Sequence, residues 1–167
     1  MYDDVREFVR NCATCVRMKI LTGRKLKALH WERDIDVYDV WEISMIGPFG
    51  NSENHYILIA VDHVSEWAEI LAIPDRDPQR VVRFIHKRIL RRLGTPLLVI
   101  SDFSLSYCER EISDLLAVYG SRHRIYPPYY SFADGREVEA NHELKELLRM
   151  TVKKIGADWS WKIYETL

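Results

Sequence analysis

The chain has 167 residues, enough for one domain with a substantial core, since a domain near this size buries roughly 70% of the surface its unfolded chain exposes. Its 24 Lys and Arg against 25 Asp and Glu leave a formal net charge of −1, so no global field draws it to nucleic acid and any basic surface must arise by local segregation. Cys12, Cys15 and Cys108 are an odd set with no secretory leader before them, which argues against a disulfide scaffold, and no apolar run approaches the roughly 20 residues of a membrane span.

The opening "MYDDVREFVRNC" carries acidic residues and no apolar centre, so it is neither a signal nor a transit peptide. An intracellular protein, nuclear or cytoplasmic, with no membrane partner is the expectation. Val5, Phe8 and Val9 lie at helical spacing, and the short helix they predict runs into Cys12-Ala-Thr-Cys15. Arg17, Lys19, Arg24, Lys25 and Lys27 follow around Gly23, which predicts an exposed basic linker over residues 16–36.

From about residue 38 the period changes. "VYDVWEISMIGPF" alternates, with Trp41, Ile43 and Met45 on one face and Glu42 and Ser44 on the other, until Gly47-Pro48 stops it. "HYILIAVD" is an almost continuous, β-branched apolar run, the mark of a strand covered on both faces. "EWAEILAI" returns after a short turn at His63 to Ser65, so three strands form a meander. Asp77 as N-cap, Pro78 at the first helical position and Gly94 beyond the end then bracket a helix with Val82, Ile85, Ile89 and Leu93 inward. "PLLVISD" predicts a buried strand ending at Asp102, and "REISDLLAVYG" a helix with Ile112, Leu115, Leu116 and Tyr119 on its apolar face. "RHRIY" predicts a fifth strand, stopped by Pro127-Pro128. After the aromatic loop "PPYYSFADG", "GREVEANHELKEL" opens a helix with Leu144, Leu147, Leu148 and Val152 inward, and "DWSWKIYETL" begins another. Three strands, helix, strand, helix, strand, helices is an α/β order with a mixed five-stranded sheet flanked by helices.

That order is the RNase H-like layout, and the segments "CATCVRMK", "DVWEISMIGPFGNSENHYILIAVDHVSEWAE", "RRLGTP", "VISD", "YGSRHRI", "PPYY" and "DW" run almost end to end along the chain. Together they resemble the integrase of gypsy-type LTR retrotransposons, particularly the copies in plant genomes. The resemblance divides the chain into residues 1–36, the remnant of a zinc-finger domain with its basic linker, and residues 37–167, a retroviral-integrase-like catalytic core truncated at its C-terminus. It also implies a chemistry: two Mg²⁺ or Mn²⁺ ions, held by two Asp and one Glu, activate water or a DNA 3'-hydroxyl for in-line attack on a phosphodiester.

Laid on this sequence, the family's "W-x-x-D-x-x-G-P-F" reads Trp41 to Phe49 and puts Ser44 at the first carboxylate position. The second falls on Asp102, which is retained, although Phe103 and Ser104 replace the small glycines that usually follow. For the third, Gly135 and Asn141 anchor a "G-Q-x-E-x-x-N" pattern whose catalytic slot is Val138. Glu137 and Glu139 flank that slot, but one residue along a helix turns a side chain by about 100°. Glu42 shares the strand face of Ser44 at roughly 6.6 Å along the strand. The family's "Y-H-P-Q" is also lost, appearing as Tyr129-Tyr130-Ser131-Phe132. The triad therefore reads Ser44, Asp102, Val138, with none of the catalytic set intact, no cofactor expected, and Mg²⁺ or Mn²⁺ relevant only if activity survives through Glu42, Glu137 or Glu139.

Cys12 and Cys15 match half of a four-ligand zinc finger, and half a finger is expected to be free thiols rather than a metal site. Cys108 beside Glu109 and Glu111 lacks the cationic surroundings of a reactive thiol and is expected to be structural. His63 next to Asp62 reads as a turn pair. Arg80, Arg83, Lys87, Arg88, Arg91 and Arg92 form a basic helix face, either a solvated surface or a source of weak, nonspecific nucleic-acid binding. Trp159, Trp161, Ile163 and Tyr164, on a helix whose usual neighbours in the family are cut away, are expected to form an interaction surface. The function expected is an inactive integrase-derived domain that binds another protein, with a second copy or a host protein as partner. The alternative is a DNA-binding domain with residual metal-dependent nuclease or strand-transfer activity.

Overall fold

The computed structural model describes residues 35–50, 52–125, 137–156 and 159–166, the side chains of 137–143 and 164–166 excepted. The expected N-terminal helix, Cys12, Cys15, the basic linker up to residue 34, the aromatic loop, and the side chains of Glu137, Val138, Glu139 and Tyr164 lie outside that set.

Strand β1 (Val40–Ile46) pairs antiparallel with β2 (Tyr56–Asp62), and β2 pairs antiparallel with β3 (Ala68–Ile73). On its other side β1 runs parallel to β4 (Leu98–Ser101), and β4 parallel to β5 (Arg122–Ile125), giving the order β3-β2-β1-β4-β5. The sheet is the mixed five-stranded one that the strand and helix order predicts. Its helices are α1 (Pro78–Phe84), α2 (Glu109–Val118), α3 (Glu137–Ile155) and α4 (Trp159–Thr166). None among the described residues is long and apolar enough to cross a membrane.

The continuous apolar run of β2 is explained by two cores, one on each face of the sheet. Leu58 and Ala60 join Trp41, Ile43, Val81, Phe84, Ile85, Ile89, Ile112 and Leu116 under α1 and α2. The alternate residues Ile57, Ile59 and Val61 join Ile70, Leu148, Val152, Trp159 and Ile163 under α3 and α4. Successive strand side chains point to opposite faces, so a strand in the middle of such a sandwich must be apolar at every position. At the end of β1 the chain turns through Gly47 at φ 134°, where an added Cβ would lie 2.6 Å from the His55 carbonyl oxygen. Only glycine fits there.

Three stripes differ from expectation; just past the end of α2, Tyr119, expected on the apolar face, is 39% exposed. Beyond Phe84 the helical hydrogen bonding widens over Ile85–Leu90, where Arg91 N–H donates to the His86 carbonyl, five residues back, at 3.0 Å. The buried side is Val81, Phe84, Ile85, Ile89 and Leu90, with Val82 and Leu93 half-buried; the wider turn shifts the stripe only in its later part, toward Leu90. Leu147, expected inward on α3, is 52% exposed, because Leu148 and Val152 already define the face that meets the sheet.

Trp159 and Ile163, expected at an interaction surface, are fully buried in the core under α4, where Trp159 meets Phe49 edge-on at 5.4 Å between ring centroids. Trp161, two residues on, lies about 200° around the helix and is 79% exposed. The apolar residues of α4 thus divide between core and surface.

Candidate functional site

Asp102 follows the last residue of β4, and the parallel ladder pairs Ile43 with Ser101, so the backbone N–H of Asp102 donates to the Ile43 carbonyl at 3.0 Å. Ser44 is the next residue of β1. The sheet therefore brings the ends of β1 and β4 side by side at Ser44 and Asp102. Ser44 is fully buried, and its hydroxyl has no hydrogen-bond partner among the described residues.

The carboxylate of Asp102 is engaged at both oxygens. Oδ1 accepts from the Ser104 backbone N–H at 2.9 Å and from the Ser104 hydroxyl, while that hydroxyl accepts from the Met45 N–H at 2.9 Å. Asp102 thus caps the tight helical turn Phe103–Cys108, an element absent from the sequence reading, and Ser104 ties that turn back to β1. Arg76 secures it further by donating to the Ser104 carbonyl at 3.1 Å and lying 4.3 Å over the Tyr107 ring. Oδ2 accepts from the Lys145 ammonium of α3 at 3.0 Å.

Lys145 was not singled out from sequence, although a signal existed. It stands seven residues beyond Val138, and seven residues are two helical turns less about 20°, so both positions lie on one stripe of α3. Glu42 is half-buried and pairs across the sheet with Val61 and Ile100. Among the described residues no three His, Cys, Asp or Glu side chains gather where they could hold a metal. The three positions that the resemblance assigns do not by themselves fit the divalent ions it implies: Ser44 offers a neutral hydroxyl, Asp102 has both oxygens engaged, and valine has no side-chain oxygen. Hard cations need several oxygen donors, most of them anionic.

The remaining candidates separate cleanly. Cys108 is buried and its thiol donates to the Leu105 carbonyl at 3.2 Å; burial first, with Glu111 adding, pushes its pKa up to about 11, so it is a structural thiol. Asp62 is a turn residue, its carboxylate accepting from the Tyr38 N–H at 2.8 Å and from the Ser65 N–H and hydroxyl at 2.7 and 2.6 Å. Of the six cations on the helix after Asp77, Arg80 pairs with Asp75 at 2.9 Å. Arg88 and Arg92 reach Glu69 of β3 at 3.7 and 2.5 Å. Glu69 is buried at the sheet edge and also accepts from the Trp67 indole at 3.1 Å, a clamp the sequence reading missed. Arg83, Lys87 and Arg91 have no ion pair among the described residues.

His123 of β5 bridges Ser101 of β4 and Ser113 of α2, at 2.9 Å from Nε2 and 2.7 Å from Nδ1. Burial lowers its pKa from 6.5, because the imidazolium would lose hydration that two hydroxyls do not replace. The unfolded chain then binds a proton that the folded chain refuses, so the stabilising difference is present above pH 6.5 and is lost as pH falls toward the lower folded value. A loss of stability just below pH 6.5 is expected in urea titrations of the native chain, and His123→Gln is expected to flatten it. An unchanged slope would exclude this histidine as the source.

The Integrase core domain family matches residues 31–131. The Pro-Pol polyprotein of simian foamy virus type 3 (strain LK3) is 22% identical over 157 residues, 93% of this chain and 14% of that protein. The Gag-Pol polyproteins of gibbon ape leukemia virus and koala retrovirus are 26% and 24% identical over 159 and 165 residues, again 93% of this chain but 9% of each protein. The chain thus spans only about a tenth of the length of the relatives it matches.

Proposed function

Since the chain belongs to the integrase core domain family, we propose that it is a member without the family's reaction, a domain that keeps the fold and works by binding protein. The observation that carries this reading is the state of Asp102: its carboxylate is committed to Ser104 and Lys145, with the neutral Ser44 beside it. Metal-assisted displacement depends on fixed coordination as much as on ligand type, and a single engaged carboxylate supplies neither. The motifs fit gypsy-type retrotransposon integrases of plant genomes, and co-option by a host as a regulator or antagonist of another factor is the setting this reading suits.

Support for the binding role comes from the outer side of the last two helices. Trp161 on α4 is 79% exposed, and Met150 and Leu147 on α3 are 60% and 52% exposed. Large apolar side chains left in water favour association, and a near-neutral chain does little to oppose it. A second copy of the chain is the first partner to test and a host protein the second.

A second reading, DNA binding with residual nuclease or strand-transfer activity, draws on Arg83, Lys87 and Arg91, which are spaced at intervals of four along one helical segment. The two readings part on metal. Titrated with Mn²⁺ alone, the native chain is expected to show no site tighter than millimolar and no nicking or joining of DNA ends. Tight Mn²⁺ binding abolished by Asp102→Ala would overturn the inactive reading.

A further inference from the structure

We propose that the Lys145 ammonium is the resident cation of this site, a tethered charge seated on the Asp102 oxygen that a divalent ion would need; this rests on the reading that the chain lacks metal chemistry. The two oxygens of Asp102 do different work. Oδ1 is spent locally, on the Ser104 N–H and hydroxyl that shape the turn after β4. Oδ2 faces α3 and receives Lys145, 43 residues away in the chain, at 3.0 Å. The side chains are 16% and 28% exposed, sheltered enough that water and salt screen the pair less than a surface ion pair.

Among the described residues, no other cation pairs with Asp102. Arg76 is spent on the Ser104 carbonyl and the Tyr107 ring, and the Ser44 hydroxyl carries none. Lys145 stands three and seven residues before Leu148 and Val152 of the inward stripe, and its ammonium reaches Asp102 just past the end of β4. A divalent ion arriving at Oδ2 would have to displace that head and then remain a few Å from it. The pair also joins elements distant in sequence, fastening α3 to the sheet beside Ser44.

Two consequences can be measured. Ser44→Asp with Val138→Glu returns carboxylates to the family positions, yet with Lys145 in place this double variant should bind Mn²⁺ only weakly. Adding Lys145→Gln should tighten Mn²⁺ binding by roughly tenfold or more, the scale expected when a unit positive charge a few Å away is removed at a partly screened site. Adding Lys145→Arg instead should leave binding weak, because the charge remains. Free Mn²⁺ measured by electron paramagnetic resonance reads all three, with circular dichroism reporting the fold. Equal affinities for the double variant and its Gln derivative, or an Arg derivative that behaves like Gln, would overturn the tethered cation while leaving the inactive reading of the native chain intact. Mn²⁺ bound tightly by the native chain through Asp102 would instead overturn the reading beneath it and the proposal together.

A second measurement holds even if the multiple variants do not fold. In an otherwise native chain, Asp102→Asn should speed amide exchange across residues 145–152 by about tenfold, a loss on the scale of one charge-assisted hydrogen bond. Unchanged exchange there would show that the pair does not hold α3, and would overturn the proposal that Lys145 is seated on Asp102.

Discussion

Trp159→Ala is expected to destabilise the domain by about 3–5 kcal/mol, the range for removing a buried aromatic side chain from a core that only partly collapses around the gap. The indole fills the core between the sheet and α4, against Phe49 and among Ile57, Ile59, Leu148, Val152 and Ile163. For a chain of this length that loss lowers Tm by roughly 10 °C or more, read by thermal melts. Trp159→Phe should cost less, because a six-membered aromatic ring still fills most of the space and the Nε1–H, buried without a partner among the described residues, is removed. Trp161→Glu should leave Tm nearly unchanged, since the side chain is 79% exposed, and should weaken any self-association seen by light scattering. A Trp161→Glu chain that unfolds, or one that associates as well as the native chain, would remove Trp161 from the binding surface.

Asp62→Ala is the second large effect, expected at about 3 kcal/mol. The carboxylate is buried and receives two backbone N–H groups and one hydroxyl, which together hold the approach to β1 and the β2–β3 turn. Truncation strands the N–H groups of Tyr38 and Ser65, and an orphaned, partly buried donor costs about 1–3 kcal/mol. Asp62→Asn should lose less, since one amide oxygen can still accept from one of them. Urea titration of the three proteins gives the order; a near-native Ala variant would mean that water takes over the turn.

The metal question and the stability question meet at the same physical fact, that a polar group is defined by its partners. The sequence resemblance reads Asp102 as a family carboxylate. In the structure it is also a turn cap and half of an ion pair, and the roles compete for the same two oxygens. The basic helix shows the same thing: of six cations along the chain, three have acidic partners among the described residues and three do not, because Glu69 lies across the sheet edge and Asp75 just before the helix.

The sequence alone determined the five strands, the four α-helices named above and their order, though not the tight turn Phe103–Cys108 or the widened turn over Ile85–Leu90. Alternation in "VYDVWEISMI", the unbroken apolar run of "HYILIAVD", and Asp77-Pro78 at a helix start are local signals, and each strand and helix follows from them because backbone period and capping act over a few residues. The resemblance also supplied an expected register, with Ser44, Asp102 and Val138 at the family's carboxylate positions. Tertiary structure decided what those residues touch. Periodicity marked the last helix as apolar but not that Trp159 turns into the core and Trp161 out of it. No local signal joins Lys145 to Asp102, 43 residues apart, or Arg92 to Glu69, 23 apart. Such pairs exist only once strands and helices are packed, because electrostatic partners are chosen by distance in space.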